Sequence, residues 1–118
     1  MKTSTTPGRR RGLADAAPVF AALGDPARLR IVTRLCEQGP LPVVRLAEDS
    51  GISRQAVSKH LATLARAGLV DGQRRGREQV WRLRPRSLDR ARRHLDAIEA
   101  RWDDALLRLR NLVETPSA

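Results

Sequence analysis

Residues 53–70 read SRQAVSKHLATLARAGLV, and this stretch decides the fold. Its apolar side chains recur at helical spacing, which places Val57, Leu61 and Leu64 on one stripe. The opposite face is polar and basic, crowded toward the N-terminal end, and consists of Arg54, Gln55, Ser58 and Lys59. Because the N-terminus of a helix attracts phosphate, the pattern predicts a helix that lies against a polyanion.

The residues before this stretch predict three further helices. APVFAALG (17–24) has a helical pattern, and Asp25 followed by a proline predicts the start of a second helix. That helix covers ARLRIVTRLCEQG (27–39), ends at its final glycine, and is followed by a connector at 39–42. A short helix without a good polar cap follows in VVRLAEDSG (43–51). The inward side chains predicted for the second helix are Leu29, Ile31, Val32, Leu35 and Cys36.

A β-hairpin with a basic tip is predicted after the glycine that ends the quoted stretch. Two short strand-like runs, at 69–70 and 80–83, flank the turn sequence QRRGR at 73–77. The preceding short helix, a tight turn and the 53–70 helix form a predicted helix–turn–helix, in which Ser53 is the cap. Ser87 is predicted to cap a final helix that reaches about residue 114.

The chain therefore divides into three predicted parts. Residues 1–13 are basic, rich in breakers and free of acids, which indicates a flexible arm. Residues 14–86 form a predicted mainly α domain in which a helix–turn–helix is followed by a small β-hairpin, and residues 87–114 form a predicted C-terminal helix. Whether the arm touches DNA or is simply a disordered terminus stays open.

Charge supports nucleic acid as the partner. The 118 residues carry a net charge of +10, and all but two of the basic residues are arginine. Residues 53–86 hold nine Lys or Arg against two acids, whereas residues 88–113 hold six against five. Positive charge thus concentrates on the reading helix and hairpin. RNA is disfavoured, because one Phe and two Trp offer few rings for stacking bases.

The final helix carries a heptad pattern. Its apolar residues recur every seven positions in two series, Leu88, Leu95, Trp102 and Leu109, and Ala91, Ile98, Ala105 and Leu112. Such a seam favours pairing with a second copy. The alternative is a single amphipathic helix packed on its own domain.

AVSKHLATLARAGLV followed by RRGREQVWRL, with VFAALGDPARLRIVTRL before them, resembles the ArsR-type (ArsR/SmtB-like) winged helix–turn–helix repressors. The resemblance covers residues 18–83 well and the last helix loosely. It implies a homodimer, formed through the first and last helices with Val19 and Phe20 included, that represses a palindromic operator, often its own. The DNA contacts that it implies are Ser53, Arg54, Gln55, Ser58, Lys59 and His60, with Arg74, Arg75 and Arg77 in the wing.

Metal sensing, which many members of that family perform, lacks its usual ligands in this chain. LPVVRLAEDSG (41–51) has no Cys-x-Cys pair, and the final helix offers only His94 without a ligand partner at helical spacing. We therefore expect no metal or cofactor. Cys36 is interpreted as an inert core thiol, with a redox switch as the alternative. An unknown small-molecule or protein effector stays possible.

Other classes of function fit less well. An enzyme is disfavoured, because Ser58 and His60 lie too close in sequence on a helix to pair, and no phosphate loop is present. A non-specific architectural DNA-binding protein and a winged-helix module that binds only protein remain alternatives. No secretory signal or membrane span is evident, so the expected location is the cytoplasm.

Overall fold

The computed structural model describes residues 16–114, so the predicted basic arm at 1–13 lies outside them. The described part of the first helix, α1, covers residues 16–23. The remaining elements, in order, are α2 (Pro26–Gln38), β1 (Leu41–Pro42), α3 (Val43–Ala47), α4 (Arg54–Arg66), β2 (Val70–Arg75), β3 (Glu78–Leu83) and α5 (Asp89–Glu114). Four helices, a hairpin and a long final helix thus follow one another as predicted.

Both ends of α2 follow from local chemistry. The Asp25 carboxylate accepts hydrogen bonds from the backbone N–H groups of Ala27 (2.8 Å) and Arg28 (3.2 Å). At the other end Gly39 adopts φ +81°, and its N–H donates to the Leu35 carbonyl at 3.0 Å. The left-handed conformation favours glycine, so the predicted start and stop of this helix are confirmed.

The core is built around α4. Val57, Leu61 and Leu64 are completely buried, as their spacing predicted. Side chains from the other elements surround them, namely Val19, Ala22, Ile31, Val32, Leu35, Leu41, Leu46, Leu69, Val70 and Ala91. Burying one such aliphatic side chain contributes about 1.5–3 kcal/mol relative to leaving it in water. The reading helix is therefore held by its apolar stripe, which leaves its polar face outward.

The hairpin belongs to a three-stranded antiparallel sheet. β3 lies between β1 and β2, and Leu41 of β1 pairs with Trp81 of β3. The prediction of a mere connector at 39–42 was therefore wrong. A two-residue strand that follows Pro40 and contains Pro42 shows no alternation of its own, and the partner of Leu41 lies 40 residues further along the chain.

Two side chains of α2 do not face inward as predicted. Leu29 is 49% exposed, and Cys36 is also exposed. The buried stripe of this helix consists of Ile31, Val32 and Leu35 only. At 100° per residue Leu29 and Cys36 lie just beyond the Val32 edge of that stripe, and the packing of α2 leaves both exposed. The interpretation of Cys36 as a core thiol was therefore wrong.

The final helix leaves most of its apolar seam uncovered. α5 begins at Asp89, so Leu88, and not the predicted Ser87, directly precedes it. Among the described residues of α5, Ala91 alone is buried. The exposed large side chains of the seam are Leu88, Leu95, Ile98, Trp102, Leu109 and Leu112, and Ala105 is exposed between them.

The start of α5 packs on α1. The rings of Phe20 and His94 lie 6.1 Å apart between centroids, in a tilted arrangement. Val19 and Ala91 are each at least 95% buried within the single chain. These two predicted interface residues belong to the core of the single chain and have little free surface for a partner. No helix among the described residues is long and apolar enough to cross a membrane.

Candidate nucleic-acid interface

The turn between α3 and α4 is fixed by its own side chains. The Ser50 hydroxyl donates to the Ala47 carbonyl at 2.8 Å and accepts the Ile52 N–H at 3.1 Å. Gly51 adopts φ +80°, which the absence of a side chain permits. These bonds hold the start of α4 at a defined angle to α3, as a helix–turn–helix requires.

A residue that the sequence interpretation missed holds α3 in place. The guanidinium of Arg34, on α2, donates to the carbonyls of Arg45 (2.7 Å) and Leu46 (3.3 Å). These carbonyls belong to a five-residue helix that is too short to pair them internally. Arg34 thus joins α2 to the helix–turn–helix, and helical spacing alone cannot show such a contact.

The N-terminal end of α4 presents the predicted reading face. Ser53 caps the helix, because its hydroxyl accepts the Ala56 N–H at 3.1 Å. The side chains that follow on the solvent side are all exposed, namely Arg54, Gln55, Ser58 and Lys59. No acid occurs in residues 53–70, so nothing on this helix cancels their charge. The positive end of the helix dipole adds to it.

His60 is placed differently from these four. It is half-buried, and its Nδ1 lies 3.5 Å from Nη1 of Arg28 on α2. Arg28 also donates through Nε to the Ala22 carbonyl at 2.7 Å, so this side chain joins α1, α2 and α4. His60 therefore packs in part against its own domain, and its contact with DNA stays a prediction.

The same contacts affect the capping carboxylate of α2. The backbone N–H of Arg28, more than any other group, lowers the pKa of Asp25 below its ordinary value of 3.8. The N–H of Ala27 and the positive charges of Arg28 and His60 act in the same direction, and partial desolvation opposes them. Asp25 is therefore ionised at neutral pH, and its negative charge stabilises the N-terminal end of α2.

The wing carries its arginines on both faces. Arg74, Arg75 and Arg77 are exposed around the turn, where Gly76 adopts φ +62°. Neighbouring strand residues point to opposite faces, so Arg74 and Arg75 cannot make the same contact. In the antiparallel register Arg75 stands opposite Glu78, whereas Arg74 stands opposite Gln79.

Arg82, a further basic residue of the hairpin, forms an ion pair within the protein. Nε of Arg82 lies 2.9 Å from the carboxylate of Asp71, and the two residues are direct cross-strand partners. Both side chains are a little over one-third exposed, so the pair contributes only modestly to stability. It does reduce the charge at the base of the wing, so the free positive charge lies at its tip.

Possible ligands for a metal do not converge in this part of the chain. Among residues 16–114 no group of three or more His, Cys, Asp and Glu side chains is placed to hold an ion. His94, the single candidate on the last helix, instead packs against Phe20.

Comparison with known proteins identifies the family. A family profile described as a helix-turn-helix domain matches residues 23–73. The chain is 40% identical over 96 residues to the transcriptional regulator Rv2034 of Mycobacterium tuberculosis, covering 81% of this chain and 86% of that protein. The transcriptional repressor SmtB of the same organism is 36% identical over 104 residues, covering 88% of this chain and 75% of the repressor. The chain belongs to the ArsR/SmtB family of helix-turn-helix transcriptional regulators. The predicted resemblance is thereby confirmed.

A further relative from Mycobacterium tuberculosis agrees with this assignment. The regulator NmtR is 47% identical over 70 residues, and the match spans 59% of this chain and 58% of NmtR.

Solved structures of the ArsR family share the winged helix–turn–helix fold. An ArsR-like regulator from Rhodococcus sp. RHA1 aligns with a TM-score of 0.74 at 36% identity, covering 88% of this chain and 97% of that one. The homodimeric winged helix-turn-helix domain of Mb0332 from Mycobacterium bovis aligns with a TM-score of 0.62 at 26% identity, covering 90% and 94%. The predicted fold class is confirmed.

Proposed function

We propose that this ArsR/SmtB family member is a sequence-specific repressor that binds a palindromic operator as a homodimer. The observation that carries the proposal is the exposed, acid-free N-terminal face of α4, set on a turn that Ser50 and Arg34 hold rigid. In a helix–turn–helix the first residues of the second helix touch base edges in the major groove. Steric exclusion of polymerase from the operator supplies the repression.

We assign different roles to the residues of the interface. Arg54 and Gln55 stand in the first turn of α4 and can each form two hydrogen bonds to one base edge. Ser58, Lys59 and the wing arginines are assigned to phosphates, which position the protein without reading sequence. His60 is assigned no base contact. Because it lies beside Arg28, we assign it to supporting the position of α4 against α2.

The dimer follows from the uncovered seam of α5. A stripe in which Trp102 is 64% exposed and Leu95 is 51% exposed is costly in water unless another apolar surface covers it. The homodimeric neighbour from Mycobacterium bovis supports the same arrangement here. A two-fold dimer presents two α4 helices, which matches half-sites about 34 Å apart on DNA.

The decisive experiment compares operator and random DNA. Fluorescence anisotropy of the full chain is measured on its own upstream DNA and on a scrambled duplex, over a salt series. A preference of about 10³-fold or more at physiological salt is expected of an operator-reading repressor. Equal binding that collapses as salt rises would instead identify an architectural DNA-binding protein.

A substitution in the reading helix tests whether Gln55 contacts bases. Gln55→Ala should reduce operator binding by about 1–3 kcal/mol and leave binding to scrambled DNA nearly unchanged. Lys59→Ala is the matched control, since loss of a phosphate contact weakens both duplexes alike. Equal losses on the two duplexes for Gln55→Ala would refute its role in reading bases.

A further inference from the structure

A groove lies along one flank of the reading helix, outside the DNA contacts predicted from the sequence. It has a volume of about 290 Å³ and is formed by α1, the start of α2 and the C-terminal end of α4. Residues of all three parts line it, namely Pro18, Ala21, Ala22, Arg28, Thr63, Arg66 and Ala67. None of the described residues that line the groove is acidic, and two are arginines.

Arg66 connects the groove to the proposed reading face. It follows Gln55, Lys59 and Ala62 at intervals of four, three and four residues, so these side chains share one face of α4. Gln55 and Arg66 are about 16 Å apart along the helix axis. Arg66 is exposed, and its Nη2 donates to the Thr63 hydroxyl at 3.2 Å, which holds the guanidinium beside the groove. The groove therefore continues the basic face of α4 toward α1.

Arg28, the second arginine of the groove, is held in place by its own domain. Its Nε donates to the Ala22 carbonyl at 2.7 Å, and its Nη1 lies 3.5 Å from Nδ1 of His60. A guanidinium has five N–H donors, so these two contacts leave donors for a further acceptor. Arg28 is thus a positioned donor at the edge of the groove rather than a mobile surface side chain.

The charges around the groove favour an anion. Asp25 offsets part of the charge of Arg28, and the C-terminal end of α4 contributes about half a negative charge. Arg66 carries a full positive charge and is bonded to a neutral hydroxyl, so it outweighs the end of the helix. Positive charge therefore remains on the groove after these contributions are counted.

The chemistry of the groove matches the backbone of DNA. Guanidinium groups bind phosphate through two parallel hydrogen bonds, which makes arginine suited to such contacts. Between the two arginines the lining is apolar, with Pro18 and Ala21 exposed. A DNA strand alternates anionic phosphates with less polar deoxyribose rings, so both kinds of surface find a counterpart.

We propose that this groove binds the sugar–phosphate backbone of the DNA strand that borders the major groove occupied by α4. Arg28 and Arg66 contact phosphates, and Pro18 and Ala21 contact the deoxyribose between them. The assignment rests on the proposed function, which places α4 in the major groove. It extends the interface to the flank of α4 that adjoins α1 and α2.

The test is the salt dependence of binding to a scrambled duplex, which requires no operator. Fluorescence anisotropy of the full chain is measured over a salt series for the parent, Arg66→Gln and Arg28→Gln/Arg66→Gln. The slope of log affinity against log salt should fall by about 1 in the single variant and by about 2 in the double variant, because each lost phosphate contact releases about one counterion fewer. Arg66→Gln alone decides the test if circular dichroism shows that the double variant is unfolded.

A matched variant separates a contact from general attraction. Arg30 is exposed on α2 and does not line the groove. It lies two positions after Arg28, so it points to the other side of that helix. Arg30→Gln removes the same charge and should leave the slope unchanged. Equal slopes for the parent and Arg66→Gln, or equal reductions in Arg66→Gln and Arg30→Gln, would overturn the proposal.

A second measurement locates the contact on the upstream DNA. Neutral methylphosphonate linkages are introduced one at a time, and one of them should weaken the parent chain but have no further effect on Arg66→Gln. Losses that add at every linkage would also overturn the proposal.

The outcomes of the two proposals are distinguishable. A lower slope for Arg66→Gln without any preference for the upstream DNA would support the groove and reject the operator-reading repressor. A preference for the upstream DNA with an unchanged slope would reject the groove alone.

Discussion

Asp25 and Arg28 show how two residues three positions apart connect helices. The Asp25 carboxylate satisfies two backbone N–H groups at the start of α2. Arg28 reaches back to the Ala22 carbonyl of α1 and forward to His60 of α4. Together they set the positions of three helices around the core, and neither requires contact with DNA to be important for function.

The capping carboxylate gives a prediction for pH dependence. Because the folded state lowers the pKa of Asp25, its ionised form stabilises the protein above about pH 4, and this contribution is lost as pH falls through the folded pKa. Asp25→Asn keeps the capping oxygen but removes the charge. Urea midpoints should show the parent chain more stable than Asp25→Asn at pH 7, and the difference should shrink as pH falls below about 4. A constant difference over this range would contradict the charge effect.

At the scale of the element, the β2–β3 hairpin separates its arginines by register. Arg82 is paired with Asp71, and Arg75 stands opposite Glu78, so these charges are partly balanced within the wing. Arg74 faces the neutral Gln79. The geometry therefore ranks three basic residues that look equivalent in the sequence.

This ranking can be tested by salt dependence. Arg74→Ala should weaken binding to any duplex and reduce the slope of log affinity against log salt by about 1. Arg75→Ala should have a smaller effect in the same assay, because Glu78 already offsets its charge. Glu78→Gln is the control, and it should strengthen DNA binding because it removes the negative charge opposite Arg75. A larger loss for Arg75→Ala than for Arg74→Ala would show that the register does not set the charge at the tip.

At the scale of the whole molecule, the domain has two exposed surfaces that are suited to contact other molecules. The α4 face and wing are polar and basic, whereas the α5 seam is apolar and exposed along most of its length. One surface suits DNA and the other suits a second copy of the chain. Operator binding by the repressor proposed here requires both.

A charged substitution in the α5 seam should prevent dimerisation without unfolding the domain. Trp102→Glu places a charge in the exposed apolar stripe, so sedimentation should show a monomer where the parent chain is a dimer. Operator affinity should fall by about 10²-fold or more, since one reading helix replaces two. Arg101→Glu is the matched control, because it introduces a glutamate beside the stripe. A dimeric Trp102→Glu variant would place the interface elsewhere.

The elements that the sequence determined by itself rest on contacts within about four residues. Examples are the Asp25 cap, the Ser53 cap, the left-handed Gly39 and the buried stripe of α4. Each depends on short-range hydrogen bonds or on the period of a helix, which a linear sequence displays. The polar face of α4 follows from the same period, so most of the proposed reading face could be predicted.

Only the tertiary structure decided which distant groups meet. Pairing of β1 with β3, the hold of Arg34 on α3 and the placement of His60 beside Arg28 join residues 11 to 40 positions apart. No local period encodes such meetings, because they depend on how the buried stripes of several helices pack together. The exposure of Cys36 follows from the same packing, because α2 buries only Ile31, Val32 and Leu35 and leaves its other apolar residues exposed or partly exposed.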